Sequence, residues 1–444
     1  MARPQLRPGD RQRPLVARVK GARLAAAVLL GGALLSTPAR AAFLSLEPLR
    51  GYLDVGLAVH DAQAHALNGG TGKLRYGERG GGLDFEPKLS EARLIGALGL
   101  GSAWRVLVDV KYDDEQRHLL DIGEAFLAYR SPPAASGLQL RLKAGTFLPP
   151  FSLENRAIGW TSPYTLSSSA LNAWIGEELR INGAELRLVF ERADWQYNLA
   201  SASYFANDTA GTVLALRGWA IHDRELGLFD RMRMPRAQLA LFKQAGIFAS
   251  HLAYYEPRHE IDRRPGFYAG GSVRDPQAHK FEFYYYNNAG DPEAINRSGG
   301  GLEWAWRTRF WVAGFETPLP GDVLFVTQAL LGDTAIGRRR GPRRGMDMDY
   351  FSGYGLLTRS FGTVQASVRG EYFEMRDRDG LRGAYDNSES GYGVTVAASR
   401  QVAARLRLLL EAQYVEHQRP VRVLSGQPRR ADEWLLRVNL RWYL

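Results

Sequence analysis

"AWRVLVDVKY", residues 103–112, sorts its side chains by parity: Trp104, Val106, Val108, Val110 and Tyr112 on one, Arg105, Asp109 and Lys111 on the other. A strand turns successive side chains to opposite faces, so one face is apolar with an aromatic at each end and the other is charged. The scheme returns in "NGAELRLVFER" (182–192), with Leu186, Leu188 and Phe190 against Glu185, Arg187 and Glu191. It returns again in "ARLRLLLEAQY" (404–414), with Leu406, Leu408, Leu410 and Tyr414 against Arg405, Arg407 and Glu411, and in the closing "EWLLRVNLRWYL" (433–444).

Repeated along one continuous domain, this unit fits a transmembrane β-barrel better than a water-soluble sandwich. Spanning strands need about 9–11 residues with lipid-facing apolar and lumen-facing polar positions, and aromatics at the interfaces. No window holds 18 consecutive apolar residues, so a helical membrane protein is excluded. The expected strands are 50–60, 91–100, 103–112, 121–130, 138–146, 182–191, 194–204, 266–274, 279–288, 307–316, 321–331, 349–360, 362–374, 389–399, 404–416 and 432–444. They make an all-β, sixteen-stranded antiparallel barrel; a further hairpin within 236–256 would make eighteen. Short turns alternate with long polar connections, the bacterial pattern of short periplasmic turns and long outer loops.

Residues 1–41 have the layout of a cleaved export signal: a basic start, the apolar run Leu24–Leu35, and Ala39-Arg40-Ala41 as cleavage site. The barrel domain would then be 42–444. That leader holds eight Lys or Arg against one acid, so most of the formal +10 belongs to it and no nucleic-acid partner is implied. Cysteine is absent, so nothing requires a disulfide or a thiolate.

Catalytic candidates are few. His222 and Asp223 are adjacent on a connection with no nucleophile-elbow serine. Glu256, His259, Glu260 and Asp262 lack zinc-site spacing and are crowded by Arg258, Arg263 and Arg264. No enzymatic activity, metal or cofactor is expected. The polar parities carry more information: Arg105, Lys111, Arg141, Lys143, Arg187, Arg307, Arg309, Arg369, Arg405, Arg407, Arg437 and Arg441 are assigned to the lumen, against Asp109, Glu185, Glu191, Glu371 and Glu411. Barrel interiors commonly pair such charges across strands, while any cation left over raises the local anion concentration.

Pro149 and Pro150 cannot donate ladder hydrogen bonds, so the strand before them must leave the wall. "AGTFLPPFSLEN" (144–155) followed by "WIGEELRINGAEL" (174–186) resembles outer-membrane porins related to the phosphate-selective porin O/P family, as do "YYYNNAGDPEA" and "WAWRTRF" downstream. The match departs at Ser152, where that motif has glycine, and at the terminal Leu444, where an aromatic is usual. The resemblance implies a sixteen-stranded barrel, commonly a homotrimer, with an inward-folded loop that narrows the pore. Pro149, Pro150, Ser152, Arg156, Ser168, Asn172 and Arg180 would belong to that constriction loop, with Ser167 and Ser169 as further donors and Trp160, Tyr164 and Trp174 as anchors.

The expectation is a passive outer-membrane diffusion channel for small hydrophilic solutes, with some preference for anions such as phosphate. Its surroundings would be outer-membrane lipids and lipopolysaccharide. The alternative is a barrel whose outer loops act in adhesion or recognition, with 205–265 the segment to suspect; closure of the lumen by that segment would favour it.

Overall fold

The computed structural model describes residues 44–65, 70–77, 84–234, 251–298, 301–338, 345–380 and 383–444. The expected leader lies outside them. Sixteen strands form the wall: β1 (Arg50–Asp61), β2 (Asp84–Leu100), β3 (Trp104–Tyr112), β4 (Leu120–Arg130), β5 (Leu138–Phe147), β6 (Ile181–Arg192), β7 (Trp195–Phe205), β8 (Gly266–Arg274), β9 (Lys280–Asn287), β10 (Arg307–Leu319), β11 (Val323–Ile336), β12 (Met346–Phe361), β13 (Val364–Asp377), β14 (Glu389–Ala403), β15 (Leu406–Gln418) and β16 (Arg430–Tyr443). Each pairs antiparallel with its neighbours in sequence. β16 then closes on β1, from Tyr52 opposite Tyr443 to Asp61 opposite Trp434. Each of the sixteen strands therefore has a partner on both sides and none is left as an open edge, the condition for a sheet to stand in lipid.

Closure at sixteen removes the eighteen-strand alternative. Of 236–256, the described part forms only Tyr254–Tyr255, paired with Met232–Arg233 in a separate two-stranded sheet; 236–250 lies outside the described residues. One end of the barrel carries short turns such as Ala193-Asp194, whose φ of 48° and 67° give the reversed twist a two-residue hairpin needs. The other end carries the long connections.

Alternation sorts the wall as the pleat requires. On β1, Leu53, Val55 and Leu57 are exposed outward, while Tyr52, Asp54, Ala58 and His60 are buried inward. One further feature shows in β9, "KFEFYYYN": Phe281, Phe283 and Tyr285 face out, and Tyr284 and Tyr286 face in and are buried. A strand apolar on both faces must pack against something inside the barrel.

Candidate functional site

Two connections supply that packing. Residues 148–180, which open on the two prolines, carry a buried helix α1 (Ala170–Glu178). Phe151 inserts among the inward rings of Tyr268, Tyr284 and Phe310, at centroid distances of 5.2, 5.3 and 5.7 Å. Trp174 meets Phe310 at 5.5 Å and Tyr350 at 5.4 Å. Polar anchors run to inward side chains of distant strands. Leu153 N donates to Gln328 Oε1 of β11 at 2.9 Å, Ala170 N to Glu371 Oε2 of β13 at 2.6 Å, and Leu166 N to Glu411 Oε2 of β15 at 2.6 Å. Glu154 pairs with Arg369 of β13, both fully buried.

The second connection, 206–234, lies against the first. Its short helix α2 (Thr212–Arg217) points its first amides at Glu178 of α1: Val213 N and Leu214 N donate to that carboxylate at 2.9 and 3.2 Å. Burial pushes the Glu178 carboxyl up to about 7 despite these donors. Arg217 grips Glu177 with both terminal nitrogens, at 2.6 and 2.7 Å. Farther on, Asp223 lies between Arg75 (2.8 Å) and Arg437 of β16 (2.7 Å), and Glu225 between Arg180 (2.7 Å) and Arg93 of β2. Burial alone would raise the Glu225 carboxyl; Arg93 and Arg180 overcome it and hold it down to about 2.

His65, Glu177 and His222 bring possible ligand atoms within 4.8 Å of one another. Yet His222 Nδ1 accepts the Arg224 amide at 3.1 Å, which puts the ring proton on Nε2, facing Glu177 at 3.0 Å. With that nitrogen protonated and Glu177 held by Arg217, the trio is an ion-paired network unsuited to a metal. His259 is likewise engaged on both ring nitrogens, by Glu256 and Glu303.

The residues assigned to a constriction loop therefore take different parts. Ser152 Oγ accepts from Asn155 N at 2.7 Å, Ser168 Oγ accepts from Asn155 Nδ2 at 2.7 Å, and Asn172 Nδ2 donates to Glu154 and Gln328. Ser167 N donates to Glu411 and Ser169 N to Glu154. Ser152, Ser168 and Asn172 are buried and bonded within the segment or to the wall, and Arg180 is buried against Glu225, so their expected part as donors to a solute is corrected. Arg156, paired with Glu316, keeps 31% of its side chain exposed. Pro149 is buried and Pro150 half-buried where the chain leaves β5.

Three of the charges assigned to the lumen do not face it. Arg307 and Arg309 share the parity of the exposed Trp311 and Phe315 and point outward, where both pair with Asp333. At the rim of the wall, outward charge meets headgroups and water instead of hydrocarbon, so nothing drives it inside. Arg405 lies in the turn between β14 and β15 and is exposed. The other nine are inward and divide in two. Lys111, Arg369, Arg437 and Arg441 are buried, the three arginines against carboxylates; Arg441, for example, holds Asp54 at 2.7 and 2.6 Å. Arg105, Arg141, Lys143, Arg187 and Arg407 retain solvent contact.

Four of those five converge with Arg130 at the turn end of β3–β6, around a cavity of about 270 Å³. Arg130 stands directly opposite Arg141, and Arg141 directly opposite Arg187. Glu185, 3.2 Å from Arg187, is the one carboxylate among the lining residues. Lys143 lies 4.7 Å from the ring centres of both Phe126 and Phe147. Arg130 was missed from the sequence because it borders the turn; its cross-strand register with Arg141 was the available signal.

The chain shares its fold with solved outer-membrane barrels. The outer membrane channel DcaP of Acinetobacter baumannii superposes with a TM-score of 0.54 at 8% identity, over 93% of this chain and 100% of that one. An anion-selective porin from Comamonas acidovorans gives 0.48 at 12% identity, over 90% and 100%. OmpT, an outer membrane protein of Vibrio cholerae, gives 0.49 at 9% identity, over 92% and 99%. This is the fold of outer-membrane channel barrels. At these identities the likeness is one of architecture. No family model matches the sequence. No curated protein matches it either.

Proposed function

We propose that the protein is a passive outer-membrane diffusion channel with a preference for small anions, phosphate among them. The observation that carries it is the row Arg130, Arg141 and Arg187 on the inward face, three like charges on three adjacent strands, of which Arg187 is paired with Glu185. Like charges directly opposite each other destabilise a sheet, and a lumen that concentrates anions is a reason to keep them. Residues 148–180 and 206–234 are bonded to inward groups of strands around the wall, from Lys111 of β3 and Glu124 of β4 to Gln328 of β11 and Arg437 of β16, while the arginine row stands at the turn end. A homotrimer is the assembly we infer, with the chain exported by way of residues 1–41. The segment 206–234 takes up lumen space, but buried within the wall it offers little as an outer recognition surface. Swelling of proteoliposomes in isosmotic small-anion and matched cation solutions tests the reading: faster entry of the anion supports it, and equal rates remove the preference.

A further inference from the structure

Residues 251–265, the last part of the connection between β7 and β8, are bonded along the start of the lumen-filling segment 206–234. Asp208 N donates to His259 O at 3.2 Å and Thr209 Oγ1 to Glu256 O at 2.9 Å. In the other direction, Ile261 N and Asp262 N donate to Asp208 Oδ2 at 2.5 and 3.0 Å. Residues 206–210 are themselves built into the lumen, since Asn207 Nδ2 donates to Glu178 O of α1 at 2.9 Å and the Thr308 hydroxyl of β10 donates to Ala210 O. The stretch 251–265 is thus a strap on the filling segment.

The strap is fastened to a separate strand pair, Ile295–Ser298 with Gly301–Trp304. At one point the bond is main-chain, Leu252 N to Leu302 O at 3.0 Å; at the other it is His259. Its Nε2 meets Glu256 Oε2 of the strap at 2.7 Å and its Nδ1 meets Glu303 Oε2 of the strand pair. A neutral imidazole has a single N–H and turns a lone pair to the second carboxylate; only the imidazolium donates to both. The hydrogen bond to Glu303, together with the charges of Glu303 and Glu256, holds the ring above its ordinary value near 6.5, against burial. The side chain is 28% exposed, so solvent protons reach it. The remaining charged groups close by are Asp208, Glu260 and Asp262, with Arg258 stacked on Phe229, Arg264 paired with Asp291, and Arg263 exposed. Burial pushes Asp208 up to about 7 in spite of its two amide donors.

We propose that His259 is a proton-operated clasp on this strap. Charged, it ties 251–265 to the 295–304 strand pair and keeps 206–210 seated in the lumen; on losing its proton it frees the strap, and that end of the filling segment loosens and widens the passage. The proposal rests on the channel reading above and adds its regulation. Both nearby titrations run in one direction. A base raised on folding gives stability that is complete below its unfolded value near 6.5 and lost as pH rises through its folded value. An acid raised to about 7 loses its contribution as pH climbs from about 4 toward 7. Alkali therefore leaves Asp208, Glu256, Glu260, Asp262 and Glu303 all negative with no imidazolium among them, and the fastened state belongs to acid.

Amide protection factors, which remove the intrinsic pH dependence of exchange, test the clasp at Asp208, Ile261 and Asp262 between about pH 6 and about pH 9. The comparison is with His259→Arg, whose guanidinium stays charged and carries five N–H donors. The expected result is a severalfold fall in the unsubstituted protein and less than half of that fall in His259→Arg, with the ladder amides of β12–β14 level in both. As a second variant, His259→Gln should show low protection at both pH values. Equal falls in parent and His259→Arg, or high protection in His259→Gln, overturn the clasp. Single-channel current should be larger at about pH 9 than at about pH 6 in the parent and equal at both in His259→Arg. Protection that falls while the current stays level overturns the regulation. No current at either pH from folded protein overturns the channel reading and the regulation with it, and the exchange profile still decides the clasp.

Discussion

Arg141 and Arg187 face each other across β5 and β6 at one level of the inward wall, with the Glu185 carboxylate 3.2 Å from Arg187. Replacing Arg141 with glutamine removes one like charge from this row. Chloride preference, read as a reversal potential, should fall, while stability should rise by roughly 0.2–1 kcal/mol because the repulsion across the sheet is relieved. An Arg141→Gln variant with unchanged selectivity would separate the row from the transport path.

The fully buried Glu154–Arg369 pair fixes residues 148–180 to β13. Arg369 also donates to Ser167 O at 2.8 Å and Ser168 O at 3.1 Å. Arg369→Met leaves Glu154 buried without a cation and should cost about 3–5 kcal/mol in urea unfolding from detergent, whereas Glu154→Gln leaves Arg369 its pair with Glu371 and should cost less. Glu154→Leu combined with Arg369→Met should recover part of that loss. Additive losses in the double variant would refute a direct coupling.

The pH response should come from groups in the inner connections. Burial, with His222, Arg217 and Arg224 close by, holds His65 well below its ordinary value, against the opposing pull of Glu177. A base lowered on folding contributes stability that is present above its unfolded value near 6.5 and lost as pH falls below it. Glu178 has the opposite sign: raised to about 7, it takes up its proton more readily in the fold, so stability rises as pH falls from about 7 toward 4.5. Protection factors, which remove the intrinsic slowing of exchange in acid, should therefore fall in 70–77 as pH drops below about 6.5 in the unsubstituted protein and stay level in His65→Asn, while those at 170–178, beside Glu178, should rise from about pH 7 downward. Identical profiles for the two would remove His65 from the response.

Pro149 and Pro150 end β5 where the chain turns away from the wall. Replacing both with alanine restores two ladder donors and lets the strand run on. Conductance and selectivity should change together; currents matching the parent would take the segment out of the mechanism.

The wall was legible because its signal is local. The alternation of 103–112 and 433–444 fixes which face meets lipid, and β-strand spacing does the rest. Arg307 and Arg309 were misread although Trp311 and Phe315 on the same parity marked them as outward; charge was assumed to seek the lumen, which holds at mid-membrane and fails at the rim. The filling of the lumen was harder to read, since Phe151 meets Tyr268 and Phe310 across more than a hundred residues of chain. A hint lay in β9, where Tyr284 and Tyr286 on the inward parity are too apolar to face a water-filled pore. Which cations lie free and which are matched by Asp223 and Glu225 depends on how 206–234 folds back, and strand periodicity is silent about that.

The reversal potential of the folded protein in a planar bilayer under a KCl gradient tests the central claim most directly. The account predicts stepwise currents with a chloride-selective potential, reduced by added phosphate competing for the Arg130–Arg141–Arg187 row. A potassium-selective potential, or no steps from demonstrably folded protein, would contradict it.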